Sequence, residues 1–126
     1  MGHDENYRVA RALQDAFDSG DMAAMDRLIA DDIVWHEIGR AEPRRGKAEV
    51  RSGGVGGSDV DYAITASAHD ILASDDHAVV MVDAHATRGG RTLDYRTCEV
   101  YHIHDGQVHE RWAFSDDTAA ITAFFA

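Results

Sequence analysis

The second half of the chain contains strands too long for a flat sheet. From Val60 onward the side chains alternate with a period of two, and turn signals at "SDDH", "RGGR" and "HDGQ" divide the segment into four strands of an antiparallel meander. Two of these strands run to about 14 residues, roughly 45 Å at 3.3 Å per residue, whereas a globule of this length is only ~35 Å across. The sheet therefore has to curl, and a curled sheet closed by helices encloses an interior. The expectation is one α+β domain over residues 1–126: a strongly curved, mostly antiparallel sheet forming a cone closed by three or four helices.

The first half supplies those helices. Tyr7, Ala10, Leu13 and Phe17 recur at helical spacing between Asp4, the expected N-cap, and Gly20, the expected stop. Asp21 then caps a second helix with Met22, Met25, Leu28 and Ile29 on its buried stripe, before "DDIVWHE" turns to strand character. "GKAEVRSGGVGGSD" allows at most a short third helix, because Gly53, Gly54, Gly56 and Gly57 remove helix propensity; the segment reads as a mobile loop or lid. "SDDTAAITAFFA" predicts a last capped helix that docks Ile121, Phe124 and Phe125.

A two-residue Gly-Gly hairpin at "RGGR" pairs Ala86 with Leu93, Ala84 with Tyr95, Val82 with Thr97 and Val80 with Glu99 on one face. The other face pairs Asp83 with Arg96 and His85 with Asp94, complementary charges suited to solvent or a subunit contact. The Ala/Val/Tyr face thus points inward and takes Glu99 with it, while the small Ala66, Ala68, Ala84 and Ala86 leave volume for a ligand or for helix side chains. The second hairpin is ambiguous. A two-residue Asp-Gly turn at "HDGQ" sends Glu110, Trp112 and Phe114 inward; a three-residue loop sends His109, Arg111 and Ala113 inward and sets Arg111 opposite Glu99. Periodicity alone favours the aromatic pair.

Acidic residues outnumber basic ones 23 to 12, and the formal charge of -11 repels a polyphosphate, so nucleic acid is an unlikely partner. The longest apolar run, "AVVMV", is far short of the ~20 residues a membrane span needs. Cys98 has no partner for a disulfide, and a soluble chain in a reducing cytoplasm is expected. The histidines number 8, but His102 and His104 alternate on a strand while His69 lies two strands away, so solvated positions are the better reading and no metal is expected. No cofactor motif is present, and Ser115 and Cys98 lack the partners of a nucleophilic triad.

Chemistry concentrates in two carboxylates. Glu37 follows Trp35 on the same strand parity, and Glu99 faces the same interior; in an apolar cavity one can stay ionised while the other holds its proton. The first would abstract a proton beside a carbonyl and the second would donate a hydrogen bond to the enolate oxygen. For each, the alternative is a salt bridge or a rim position. His36 adjoins Glu37 but alternates to the other face, which makes it the second choice for the base.

The order of elements, with "ADDIVWHEIGRAEPRRG" and "GRTLDYRTCEVYHI", resembles the ketosteroid isomerase and SnoaL-like branch of the nuclear transport factor 2-like superfamily, with its cystatin-like fold, over nearly the whole chain. The resemblance sets Glu37 at the position of the isomerase general base and Glu99 at that of the protonated acid in its oxyanion hole. Leu13 stands where the isomerase has its oxyanion-hole tyrosine. Ala113 falls on the pocket face, which favours the three-residue loop over the periodicity reading. Limonene epoxide hydrolases and SnoaL-type cyclases carry an aspartate where Ala113 stands, and an ion pair from Arg111 would ionise Glu99. The implied pocket comprises Leu13, Phe17, Trp35, Val82, Ala84, Tyr95, Tyr101, Arg111 and Ala113 around Glu37 and Glu99. The implied partners are a small apolar carbonyl compound and a second copy of the chain docked on the outer sheet face among Val79, Met81 and Val100. The alternative is a ligand-binding or protein-interaction module of the same fold without catalysis.

Overall fold

The computed structural model describes residues 2–52 and 60–126. Gly53, Gly54, Gly56 and Gly57, expected as a mobile loop, lie outside the described residues. The elements are α1 (His3–Ser19), α2 (Met22–Leu28), β1 (Ile29–Trp35), β2 (Arg44–Arg45), α3 (Gly46–Ser52), β3 (Ala63–Ala73), β4 (His77–Arg88), β5 (Arg91–His104), β6 (Gln107–Ser115) and α4 (Thr118–Phe125). The strands form one curved, unclosed sheet in the order β2-β1-β6-β5-β4-β3, antiparallel except where β1 runs parallel to β6.

The curl has a local cause. In β3 an extra residue, His69, falls between the pairs Ala68 with Val82 and Asp70 with Met81; in β6 His109 does the same between Ile103 with Val108 and His102 with Glu110. Such bulges bend the strand that carries them and increase its twist. Both flanking turns are two residues long, with positive φ at Gly89 and Gly90 and at Asp105 and Gly106, as a type I′ hairpin requires. The β4–β5 register is the one expected, from Ala86 opposite Leu93 to Val80 opposite Glu99, and Asp83, His85, Asp94 and Arg96 are exposed on the outer face.

The β5–β6 hairpin resolves differently from either expectation. Its turn has two residues, yet the His109 bulge restores the register in which Tyr101 faces Arg111 and Glu99 faces Ala113. Trp112, opposite Val100, and Phe114, opposite Cys98, go to the outer face, so the aromatic pair favoured by periodicity does not enter the cone. Arg111, opposite Tyr101, comes to stand two pairs along from Glu99 and on the same face, not directly opposite it.

Helix α1 lies on the inner face, where Val9, Leu13 and Ala16 share a core with Ile71, Val80, Val82 and Tyr101. Full burial of side chains such as Leu13 and Val80, neither of them exposed, stabilises the fold by roughly 1.5–3 kcal/mol each. The helix begins at His3, with Gly2 in the cap position and Asp4 inside the first turn. Its buried stripe passes through Asn6 in place of Tyr7, which is exposed; the Asn6 amide donates to the carbonyls of Ser74 and Asp75 and so ties α1 to the β3–β4 turn. Gly20 ends α1 in the left-handed region, and Asp21 caps α2 through the amide of Ala24 as expected, although Met22 is exposed and Met25 alone in that helix is buried. Among the described residues no helix is long and apolar enough to cross a membrane.

At the mouth, α4 is held by three devices. Asp117 caps it, Arg88 Nη1 donates to the carbonyls of Phe124 and Ala126, and the loop after β1 approaches it at Gly39, where a Cβ would collide with Thr122 Oγ1. Gly39 also has φ +80°. Gly39→Ala should therefore lower stability by about 1–3 kcal/mol, from strain plus collision. Adding Thr122→Ala should recover the collision part only, measured as shifts of the urea midpoint.

Candidate functional site

Strand β1 carries the first half of the site because the parallel pairing with β6 fixes its end. Trp35 stands opposite Arg111 on one side and Arg44 of β2 on the other, so two arginines flank one buried indole on the same face. Phe17 of α1 meets the indole edge-on at 6.2 Å between centroids, and the Arg111 guanidinium lies over it at 4.4 Å. A cation over an indole face is held by the ring quadrupole, which offsets the burial of Arg111 Nε without a hydrogen-bond partner.

Arg111 locks the floor of the cone. Its Nη1 donates to the His36 carbonyl at 3.0 Å, its own carbonyl accepts from the His36 amide at 2.8 Å, and its Nη2 donates to Glu99 Oε1 at 3.1 Å. Glu99 Oε1 also accepts from the Tyr101 hydroxyl at 3.0 Å, and Oε2 accepts from Thr97 Oγ1 at 3.2 Å. With side chains only 14% and 11% exposed, Glu99 and Arg111 are a largely buried pair whose carboxylate serves as acceptor to three donors. That is the ion pair anticipated between them, and it leaves Glu99 in acceptor geometry. Ala113 opposite Glu99 adds only a methyl group on that face.

Glu37 is differently placed. Its Oε2 accepts from Arg44 Nη2 at 3.2 Å, its side chain is 34% exposed, and among the described residues Oε1 has no hydrogen-bond partner. His36 points the other way: its Nε2 lies 2.6 Å from Glu110 Oε2 and its ring stacks on Trp112, both on the outer side. The parity argument thus separates the neighbours as expected.

Three tyrosines complete the interior. Burial pushes the Tyr101 phenol well above its ordinary range, with the nearby Glu99 charge adding to the effect. Burial also raises Tyr95, again with Glu99 adding, and Tyr62, with Glu37 adding. All three are therefore neutral hydroxyl groups at physiological pH. Tyr62 and Tyr95 pack edge-on against Phe125 of α4, at 4.9 and 6.2 Å between centroids, so the last helix borders this wall.

Of the expected pocket, Leu13, Trp35, Val82, Ala84 and Tyr101 are buried, while Phe17, Tyr95, Arg111 and Ala113 are partly so. Thr97, which the hairpin register sets on the inner face, joins them, and Arg44 and Tyr62 do so without having been anticipated. For Arg44 a signal existed: a chain that turns back at Pro43 must cross β1, and the arginine after it lands beside Trp35. Among the described residues no three His, Cys, Asp or Glu side chains converge to hold a metal ion.

Residues 9–111 match the family profile of the SnoaL-like domain. Among solved structures, Bal32a from a soil-derived mobile gene cassette is 27% identical with a TM-score of 0.85 over 98% of both chains. A protein of unknown function with a cystatin-like fold from Xanthomonas campestris is 27% identical, TM-score 0.84, over 94% of this chain and 96% of that one. A loop-truncation variant of IdmH, a protein of Streptomyces antibioticus, is 26% identical, TM-score 0.70, over 93% of this chain and 97% of its own. A search of curated protein sequences finds no match. These likenesses bear out the SnoaL-like part of the resemblance and the cystatin-like fold. With 103 consecutive residues matched, from Val9 to Arg111, the chain belongs to the SnoaL-like domain family.

Proposed function

We propose that the cone binds a small, largely apolar carbonyl compound and that Glu37 moves a proton next to the carbonyl. The observation that carries this reading is the difference between the two interior carboxylates. Glu99 accepts from three donors, whereas Glu37 has a carboxylate oxygen without a hydrogen-bond partner among the described residues and is partly open to solvent. A general base needs an oxygen free to reach the proton it takes, within hydrogen-bond range. Trp35, Phe17 and Tyr95 supply apolar surface for the body of the ligand. A polyketide cyclase role is suggested for IdmH, and a carbonyl ligand for this chain is in keeping with that suggestion.

On this reading Glu99 anchors Arg111 and Tyr101 and does not act as the neutral acid. The same saturation of Glu99, with the apolar Leu13 on α1, favours the second reading, a binding module without catalysis. The lone Cys98 is in keeping with a reducing cytoplasm. We also propose that two copies dock through the outer sheet face, where Leu72 and Phe114 are exposed among the partly buried Val79, Met81, Val100 and Trp112.

Glu37→Gln should slow exchange of a bound ketone's α-protons with deuterated solvent by about 10²–10⁴-fold while its binding persists. His36→Gln should change exchange little; the reverse pattern would move the base to His36, and a bound ketone without exchange in the unmodified protein would leave the binding module. Arg111→Met strands Glu99 in the interior and should cost about 3–5 kcal/mol in urea unfolding, partly recovered by adding Glu99→Gln. Sedimentation should give a dimer that Phe114→Glu with Leu72→Glu converts to monomer, and a monomer at every concentration of the unmodified protein would remove the interface.

A further inference from the structure

Among the described residues Arg44 is a largely buried cation with most of its donors unpartnered. Its side chain is 16% exposed, yet among the described residues its guanidinium makes one hydrogen bond, Nη2 to Glu37 Oε2; Nε is buried without a partner and Nη1 has none. A guanidinium carries five N–H donors in a fixed fork, so four of them have no partner among the described residues. Arg111, its counterpart across Trp35, is engaged by the His36 carbonyl, by Glu99 and by the indole face.

The proposed proton transfer also needs a donor for the charge it creates; the neutral hydroxyl groups of Tyr62 and Tyr95 belong to rings packed on Phe125, whereas Arg44 is a cation bonded to Glu37 itself. When Glu37 takes the α-proton, the C–H electron pair becomes the C=C bond of an enolate, the carbonyl π pair moves onto oxygen, and the negative charge leaves Glu37 for that oxygen. Return of the proton to another carbon of the same system restores both the carbonyl and the carboxylate. Leu13 offers no donor for the intermediate, and Glu99 is an acceptor in all its contacts.

We infer that Arg44 is the oxyanion donor of this site, holding Glu37 through one nitrogen and the enolate oxygen through another. The inference rests on the reading of Glu37 as base. The α-carbon and the carbonyl oxygen are bonded to one common carbon, so the base and the oxyanion donor have to be neighbours, and Arg44 is the cation in contact with Glu37. The charge then moves from one side of a fixed guanidinium to the other, and the donor need not reorganise as it arrives. Loss of one such donor lowers turnover by about 10²–10³-fold.

The test uses 4-nitrophenol, whose absorption distinguishes phenol from phenolate, and 4-nitroanisole, which has the same ring and cannot ionise. The background is Glu37→Gln, whose neutral amide stands for the protonated base beside an enolate. Bound 4-nitrophenol should ionise at a pH about one unit or more below that of the free compound. Arg44→Met should weaken phenolate binding at least tenfold, with 4-nitroanisole affinity unchanged within about twofold, and Arg44→Lys, which keeps the charge, should recover part of the loss. Equal phenolate binding by the Met and Lys variants and the Glu37→Gln parent would overturn the inference while 4-nitroanisole binding upholds the ligand-binding reading. Failure of both probes to bind even the unmodified protein would overturn the two together.

Discussion

The bulge at His109 decides what meets inside the cone. Without it, the two-residue Asp105-Gly106 turn would carry Trp112 and Glu110 inward and leave Arg111 in solvent. With it, Arg111 lies over Trp35 and against Glu99, and Ala113 faces that carboxylate. The same insertion bends β6 at the place where β1 joins the sheet in parallel, so one extra residue both curves the wall and chooses its lining.

Burying Arg111 and Glu99 is costly unless their hydrogen-bonding capacity is met, and the surrounding residues meet most of it: Thr97 and Tyr101 for the carboxylate, the His36 carbonyl and the indole for the guanidinium. These contacts also cross from β5 to β6 and from β6 to the end of β1. The pair therefore fixes the position of the segment that follows Trp35, which is the segment carrying Glu37. These contacts thereby help set the place of the less satisfied carboxylate.

The long strands and their turns were legible because their causes are local. Gly89-Gly90 permits the positive φ of a two-residue hairpin, and that settles every pair from Arg88 and Arg91 to His77 and His102. Glu99 was accordingly placed on the inner face from the pattern alone. The β6 lining was not legible from periodicity, since a bulge at a histidine has no residue signature comparable to a glycine turn, and only the family likeness pointed to Ala113. Tyr7 was misplaced for a related reason. A polar Asn6 looks unsuited to a core, yet it is buried because it satisfies two turn carbonyls that arrive from residues 74 and 75. Arg44 was overlooked because its neighbours are set by a two-residue strand with no periodicity to read.

The unequal satisfaction of the two carboxylates bears on which of them can do chemistry. Hydrogen bonds already made in the resting protein lower the energy of the ground state and the transition state alike, and only interactions that strengthen as the reaction proceeds increase its rate. Glu99, with its acceptor contacts in place, would have to give some of them up to take or donate a proton. Glu37 keeps one oxygen without a partner among the described residues, and its one bond is to a guanidinium that has donors to spare. A proton arriving at that oxygen would break no hydrogen bond the carboxylate already makes, and the neighbouring arginine has further N–H groups for the charge as it leaves. On the proposed reading the more completely paired charges build the site, and the less completely paired carboxylate is where a ligand would still make a difference.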